Sequence, residues 1–267
     1  MPEATDSELV EQVKRGDSRA MDQLLARHER KIYRFGLRMC GNENDARDVL
    51  QETLLSAFKN LGSFRGDAQL STWLYQVARS FCIKQRRRRE GEPAHLESME
   101  GREVKSLPAD ASEPDAMAHA REVGQVIQAA MSTLQDEFRE ALVLRDVEGL
   151  SAEEAAAVVG IEVGALKSRL HRARLQLKQS LATVLETHST DLGCPELQAE
   201  LSAYAASEID QAACARIEAH LEGCVRCTAA CDSLKRTVSM CRALPGGEVP
   251  APVRAAVRRA LRLSAAP

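Results

Sequence analysis

A chain of 267 residues that is 44 % hydrophobic yet only 3 % aromatic has material for two or three small domains with Ala- and Leu-rich helical cores, and it excludes a large β-sandwich. Its net charge of −3 excludes a wholly basic nucleic-acid coat, so any basic surface must be local. No uncharged apolar run approaches ~18 residues, and MPEATDSELVEQ offers neither a basic nor an apolar leader segment; the expectation is a cytoplasmic protein with no membrane contact.

In chain order, Ser7 is positioned to cap a first short helix and Asp17 a second, DSRAMDQLLARHERKIYRFGLRMC. Gly41 and Asn42 break that helix before an amphipathic one over residues 44–61. After the loop GSFRGDAQL comes STWLYQVARSFCIKQRRRR, which carries Trp73, Leu74, Val77, Ala78, Phe81 and Cys82 and closes in four arginines. Aromatic rings beside a basic helix suit strand separation, because flat rings stack on bases while arginines hold phosphates; core rings and a solvated helix end explain the same residues. The run GEPAHLESMEGREVKSLPADASEPD has three prolines, many acids and few large apolar residues, so it reads as a tether over 91–115.

Residues 134–181 carry the layout of a helix-turn-helix. Phe138, Ala141, Leu142, Leu144 and Val147 recur at helical spacing before Gly149, a residue suited to a left-handed helix stop. Ser151 and Glu154 make a capping box for a small helix rich in alanine and valine that stops at Gly160. From Ala165 onward Leu166, Leu170, Ala173 and Leu177 define a buried face, while Lys167, Ser168, Arg169, His171, Arg172, Arg174 and Lys178 are expected on exposed ones. Residues 134–163 hold eight acids against two bases, and residues 164–181 hold five bases and no acid, so only the last helix welcomes phosphate.

Three motifs, DARDVLQETLLSAFKNL, FRGDAQLSTWLYQVAR and LVLRDVEGLSAEEAAAVVGIEVGALKSRLHRAR, resemble those of the extracytoplasmic-function group of sigma-70 family RNA polymerase sigma factors. The likeness spans about the first 185 residues. It implies an all-α chain with region 2 over 1–90, the linker over 91–115 and a helix-turn-helix region 4 over 116–186. It also implies two partners, core RNA polymerase and promoter DNA with its −10 and −35 elements. By that resemblance Asp45, Asp48, Gln51 and Glu52 face the polymerase. Phe64, Arg65, Trp73, Tyr75, Arg79 and Ser80 face the −10 element. The family often has Asn where this chain has Ser80, whose shorter side chain makes fewer contacts with a flipped base. Lys167, Ser168, His171 and Arg172 face the −35 major groove.

The third segment, 190–267, holds six of the eight cysteines. In a reducing compartment that crowding points to metal or redox chemistry. Cys194 followed at a distance by His220, Cys224 and Cys227 in HLEGCVRC gives four soft ligands suited to tetrahedral zinc. His220 is expected to end a helix begun near Asp210, and the Cys-x-x-Cys pair to start the next. The pattern resembles the zinc-binding anti-sigma fold, and its fusion to sigma motifs resembles CorE-type sigma factors, which answer to copper or to cadmium and zinc. Cys214, Cys231 and Cys241 exceed that pattern and are candidates for an additional metal site, since extra thiols favour soft ions. Each also reads as a small buried hydrophobe, as do Cys40 and Cys82.

The reading is a non-enzymatic transcription initiation factor regulated by metal in its own cysteine-rich domain, with zinc as cofactor and copper or cadmium as alternative ions. No phosphate loop, nucleophile–base pattern or open catalytic metal site is visible, and no small-molecule substrate is expected. The rivals are a zinc-thiol redox sensor and an ordinary helix-turn-helix regulator, the second of which leaves FRGDAQLSTWL unexplained.

Overall fold

The computed structural model describes residues 4–64, 66, 69–91, 115–184, 192–244 and 248–264. Among these residues every regular element is helical. The linker expected over 91–115 lies almost wholly outside them, as does Arg65.

The first unit comprises α1 (Asp6–Lys14), α2 (Ser18–Cys40), α3 (Glu43–Asn60) and α4 (Leu70–Gly91). Its boundaries follow local chemistry. Thr5, not Ser7, caps α1: its hydroxyl accepts from the Glu8 amide, and the Glu8 carboxylate accepts from the Thr5 amide at 2.7 Å. Ser7 falls inside the first turn because Thr5 is the residue with extended backbone and a glutamate three positions on. Asp17 caps α2, Gly41 ends it in the left-handed conformation, and Asn42 caps α3 by accepting from the Asp45 amide at 2.9 Å. Where α2 crosses α3, a Cβ on Gly36 would come within 3.2 Å of the Ala46 backbone, so the helices approach as closely as they do only because both residues are small.

The second unit comprises α5 (Asp115–Ser132), α6 (Asp136–Leu142), α7 (Ala152–Val159) and α8 (Val163–Val184), with α6 continuing as a wider π-turn over Val143–Val147. Gly149 and Gly160 take positive φ, and Ser151 and Glu154 form the expected reciprocal cap. Arg139 is buried, and its guanidinium donates to the carbonyls of Met131, Ser132 and Leu134, closing the α5–α6 corner. It also donates to the Met39 carbonyl at 3.1 Å, tying that corner to the end of α2.

The third unit runs from a 3-10 turn at Pro195–Leu197 into α9 (Gln198–Ala205), α10 (Gln211–Gly223), α11 (Val225–Arg242) and α12 (Ala251–Ser264). Leu201, Ile217, Cys227, Cys231 and Leu234 form its own small core. The end of α11 leaves that core: Cys241, Leu244, Val249, Val253 and Val257 join the large core that the first two units share. In consequence α12 packs on α3, and its Arg254 forms an ion pair with Glu29 of α2.

Candidate metal centre and nucleic-acid surfaces

Four ligand atoms converge in the third unit. Cys194 precedes the 3-10 turn, His220 lies in the last turn of α10, Cys224 occupies the N-cap of α11 and Cys227 sits in its first turn. All four ligand atoms lie within 4.8 Å of one another. Tetrahedral zinc with Zn–S near 2.3 Å sets S···S edges of about 3.8 Å. Cys194 Sγ and Cys224 Sγ are 4.0 Å apart, and His220 Nε2 is 3.2 Å from Cys227 Sγ, so the residues present fit such an ion.

The backbone helps hold this cluster together. The Cys194 amide donates to Cys227 Sγ at 3.2 Å. That approach requires Gly193, which has a φ of 78°; a Cβ there would meet Cys227 Sγ at 3.1 Å and Leu201 Cδ1 at 3.1 Å. Sequence reasoning missed Gly193, whose only signal was adjacency to the first ligand. Hydrogen bonding to the Cys227 amide at the start of α11 lowers the Cys224 thiol to about 7, whereas its hydrogen bond with Cys227, then burial, push Cys194 up to about 11.

The remaining cysteines stand apart from the four. Cys214 is half-buried, its Sγ donating to Glu218 Oε1 at 3.4 Å. Cys231 shares the α11 face with Cys227 but lies in the small apolar core, where burial raises its thiol pKa. Cys241 is buried beside Asp146, Arg174 and Arg38, and burial pushes it up to about 12. Among the described residues these three thiols join no ligand cluster.

The candidate nucleic-acid residues are only partly presented. Lys167, Ser168 and Arg172 are exposed on α8, and His171 is half-buried. Arg174 and Lys178, expected on the exposed side, are 1 % and 2 % exposed. The reason is tertiary: Arg174 Nε and Nη2 donate to Asp146 at 2.8 and 2.7 Å, and Nη1 and Nη2 donate to Glu208 of the third unit at 3.0 Å each. Burial opposes that charge, but the two carboxylates outweigh it and raise the Arg174 pKa.

On the first unit, the Phe64 and Trp73 rings meet at a tilt of 47° with 5.5 Å between centroids, both half-buried, and Ser80 is exposed with its hydroxyl donating to the Val77 carbonyl. Tyr75 is buried; its ring meets Phe35 edge-on and its hydroxyl donates to Glu148 at 2.8 Å. Arg34 donates to the same carboxylate at 2.7 and 2.6 Å. Arg79 is bound by Glu140, with Nη2 at 3.2 Å from Oε2. Thus acids of the second unit hold two candidate −10 residues. Of the candidate polymerase residues on α3, Asp48 and Glu52 are exposed, Gln51 is half-buried and Asp45 is buried.

The Sigma-70 region 2 family matches residues 24–92, the Sigma-70 region 4 family residues 124–177 and a zinc-finger family residues 194–228. The RNA polymerase sigma-H factor of Pseudomonas aeruginosa is 34 % identical over 184 residues, covering 67 % of this chain and 95 % of that protein. The ECF RNA polymerase sigma-E factor of Escherichia coli K12 is 33 % identical over 174 residues, or 64 % and 91 % of the two chains. The ECF RNA polymerase sigma factor SigE of Mycolicibacterium smegmatis is 35 % identical over 170 residues, 62 % of this chain and 65 % of that one. Among solved structures, CnrH in complex with the cytosolic domain of CnrY superposes with a TM-score of 0.50 at 26 % identity, covering 69 % of this chain and 99 % of that one.

Proposed function

Since the chain belongs to the extracytoplasmic-function RNA polymerase sigma factors, and is therefore a transcription initiation factor and not an enzyme, we propose that metal bound to its own third unit governs when it engages polymerase and promoter. Sigma factors bind core RNA polymerase and promoter DNA. Here Asp48, Gln51 and Glu52 on α3 meet the polymerase, with Asp45 shaping that surface from beneath. Trp73, Phe64, Arg65, Tyr75, Arg79 and Ser80 serve the −10 element, and Lys167, Ser168, His171 and Arg172 the −35 element. The work takes place in the cytoplasm.

The observation that carries the regulatory reading is the span of α11. This helix of 18 residues, about 27 Å long, bears the ligand Cys227 in its first turn, and Cys241 near its end lies in the core shared by the two sigma units. Cys194, His220, Cys224 and Cys227 would hold a zinc ion, which would crosslink the start of the third unit to α10 and α11. An ordered third unit keeps Glu208 on Arg174 and α12 on α3, and favours the arrangement in which Glu148 and Glu140 hold Tyr75 and Arg79. The metal-loaded form is thus the closed one, and loss of metal shifts the population toward an open form.

Promoter run-off transcription with core polymerase tests this. Chelated protein should transcribe more than zinc-loaded protein, and readdition of zinc, copper or cadmium should identify the ion that restores the closed level. Higher transcription in the loaded form would overturn the direction, and equal transcription would overturn the regulation.

A further inference from the structure

Outside the metal centre, two thiols from distant parts of the sequence lie side by side. Cys40 is the last residue of α2 and Cys82 lies in the middle of α4, yet their sulfurs are 3.7 Å apart. Cys40 is half-buried and lines a cleft of about 570 Å³ between the first and second units, together with Met39, Arg79, Cys82, Arg86 and Glu140. Cys82, on the same cleft, is the more buried of the two, 6 % exposed. A half-buried thiol in contact with a more buried one has the layout of an attacking thiol and a resolving thiol.

We infer that Cys40 and Cys82 are a modification site: under a hydroperoxide they form a reversible intramolecular disulfide that ties the end of α2 to α4. The Cys40 sulfur, reached through the cleft, attacks the peroxide and breaks its O–O bond, giving a sulfenic acid on Cys40 and releasing water or alcohol. The Cys82 sulfur then attacks the Cys40 sulfur; the S–O bond breaks, and the departing hydroxide takes the Cys82 proton as water. The two thiols lose two electrons and the peroxide gains them. The hydrogen bond shared with Cys40, together with burial, raises the Cys82 thiol well above its ordinary range, consistent with its reacting second.

Geometry permits the bond. The sulfurs need to close by about 1.7 Å to reach a normal S–S length, a change within the reach of side-chain rotation at two packed helices. The crosslink sits three residues from Arg79 on α4, beside the Glu140 contact, so it would brace α4 where the two sigma units meet.

The test uses the full-length, zinc-loaded protein, oxidised with hydrogen peroxide, alkylated and digested with trypsin. The peptide Met39–Arg47 should appear joined to Ser80–Lys84, and dithiothreitol should separate them. In Cys82→Ala, which replaces a buried thiol with a small apolar group, the joined peptide should vanish and a dimedone adduct should appear on Cys40; unchanged helicity by circular dichroism verifies the fold. Two outcomes overturn the inference. One is Cys40 and Cys82 staying fully alkylatable at peroxide doses that already oxidise Cys224. The other is Cys40 passing to sulfinic acid while Cys82 remains a thiol.

Discussion

Substituting Glu208→Gln isolates the contact that docks the third unit on α8. The change keeps the size of the side chain and removes its charge. Glu208 accepts two hydrogen bonds from Arg174 at 3.0 Å, and its Oε1 lies 2.8 Å from Arg145 Nε as an ion pair without hydrogen-bond alignment. The Arg174 side chain is 2 % exposed and that of Glu208 13 %, so water screens this pair little. Removing one partner of a buried pair costs ~3–5 kcal/mol when the other charge is stranded. Asp146 still holds Arg174 from the second unit, so Arg174 is not stranded and the loss should fall to about 2 kcal/mol, the worth of a charge-assisted hydrogen bond. That energy corresponds to roughly a 30-fold shift from docked toward undocked third unit. Hydrogen exchange should show about that loss of protection in amides of α8 and α9 at their contact, with metal stoichiometry unchanged and run-off transcription increased. Unchanged exchange and transcription in a variant that still binds its metal would refute the idea that Glu208 is the latch.

Three further outcomes bear on the site. Cys224→Ser should abolish stoichiometric zinc binding and reduce the helicity of the third unit, because a small metal domain draws much of its folding free energy from the ion, whereas Cys231→Ser should retain one zinc per chain; a second ion lost in Cys231→Ser would reinstate that thiol as a ligand. Gly193→Ala should weaken zinc binding about tenfold by pushing the Cys194 amide away from Cys227 Sγ, read by competition with a chelating dye, and wild-type affinity would show that the φ of 78° is easily relaxed. Arg172→Ala, at an exposed position on α8, should weaken −35 recognition by roughly 1–3 kcal/mol in promoter binding by the polymerase holoenzyme, and an unaltered −35 preference would remove Arg172 from the reading face.

What could be read from the chain alone was whatever short-range chemistry decides. The cap of Ser151 and Glu154, the left-handed stops at Gly41, Gly149 and Gly160, and the His-x3-Cys-x2-Cys spacing each depend on residues within a turn or two, so helix limits and most of the metal cluster were legible. The three motif blocks likewise carried the family, because each lies in one continuous segment. Even here a local competition was misjudged at α1, where Thr5 and Ser7 both offer a hydroxyl and only Thr5 has a glutamate three residues on.

Only the tertiary structure decided which charges are satisfied inside the molecule. A helical wheel puts Arg174 and Lys178 outside, since periodicity sees one helix; Asp146 and Glu208, 28 and 34 residues away, make burial of Arg174 possible by accepting its hydrogen bonds. Tyr75 and Arg79 turn toward Glu148 and Glu140 for the same reason, and no spacing rule within the first unit refers to acids of the second. Cys40 and Cys82, read singly as apolar fillers, become a sulfur pair only when α2 packs on α4, and Gly193 becomes necessary only when Cys227 arrives beside it from across the third unit. Sequence determines the elements through contacts a few residues long; the pairing of distant charges and thiols follows from packing, which local pattern does not encode.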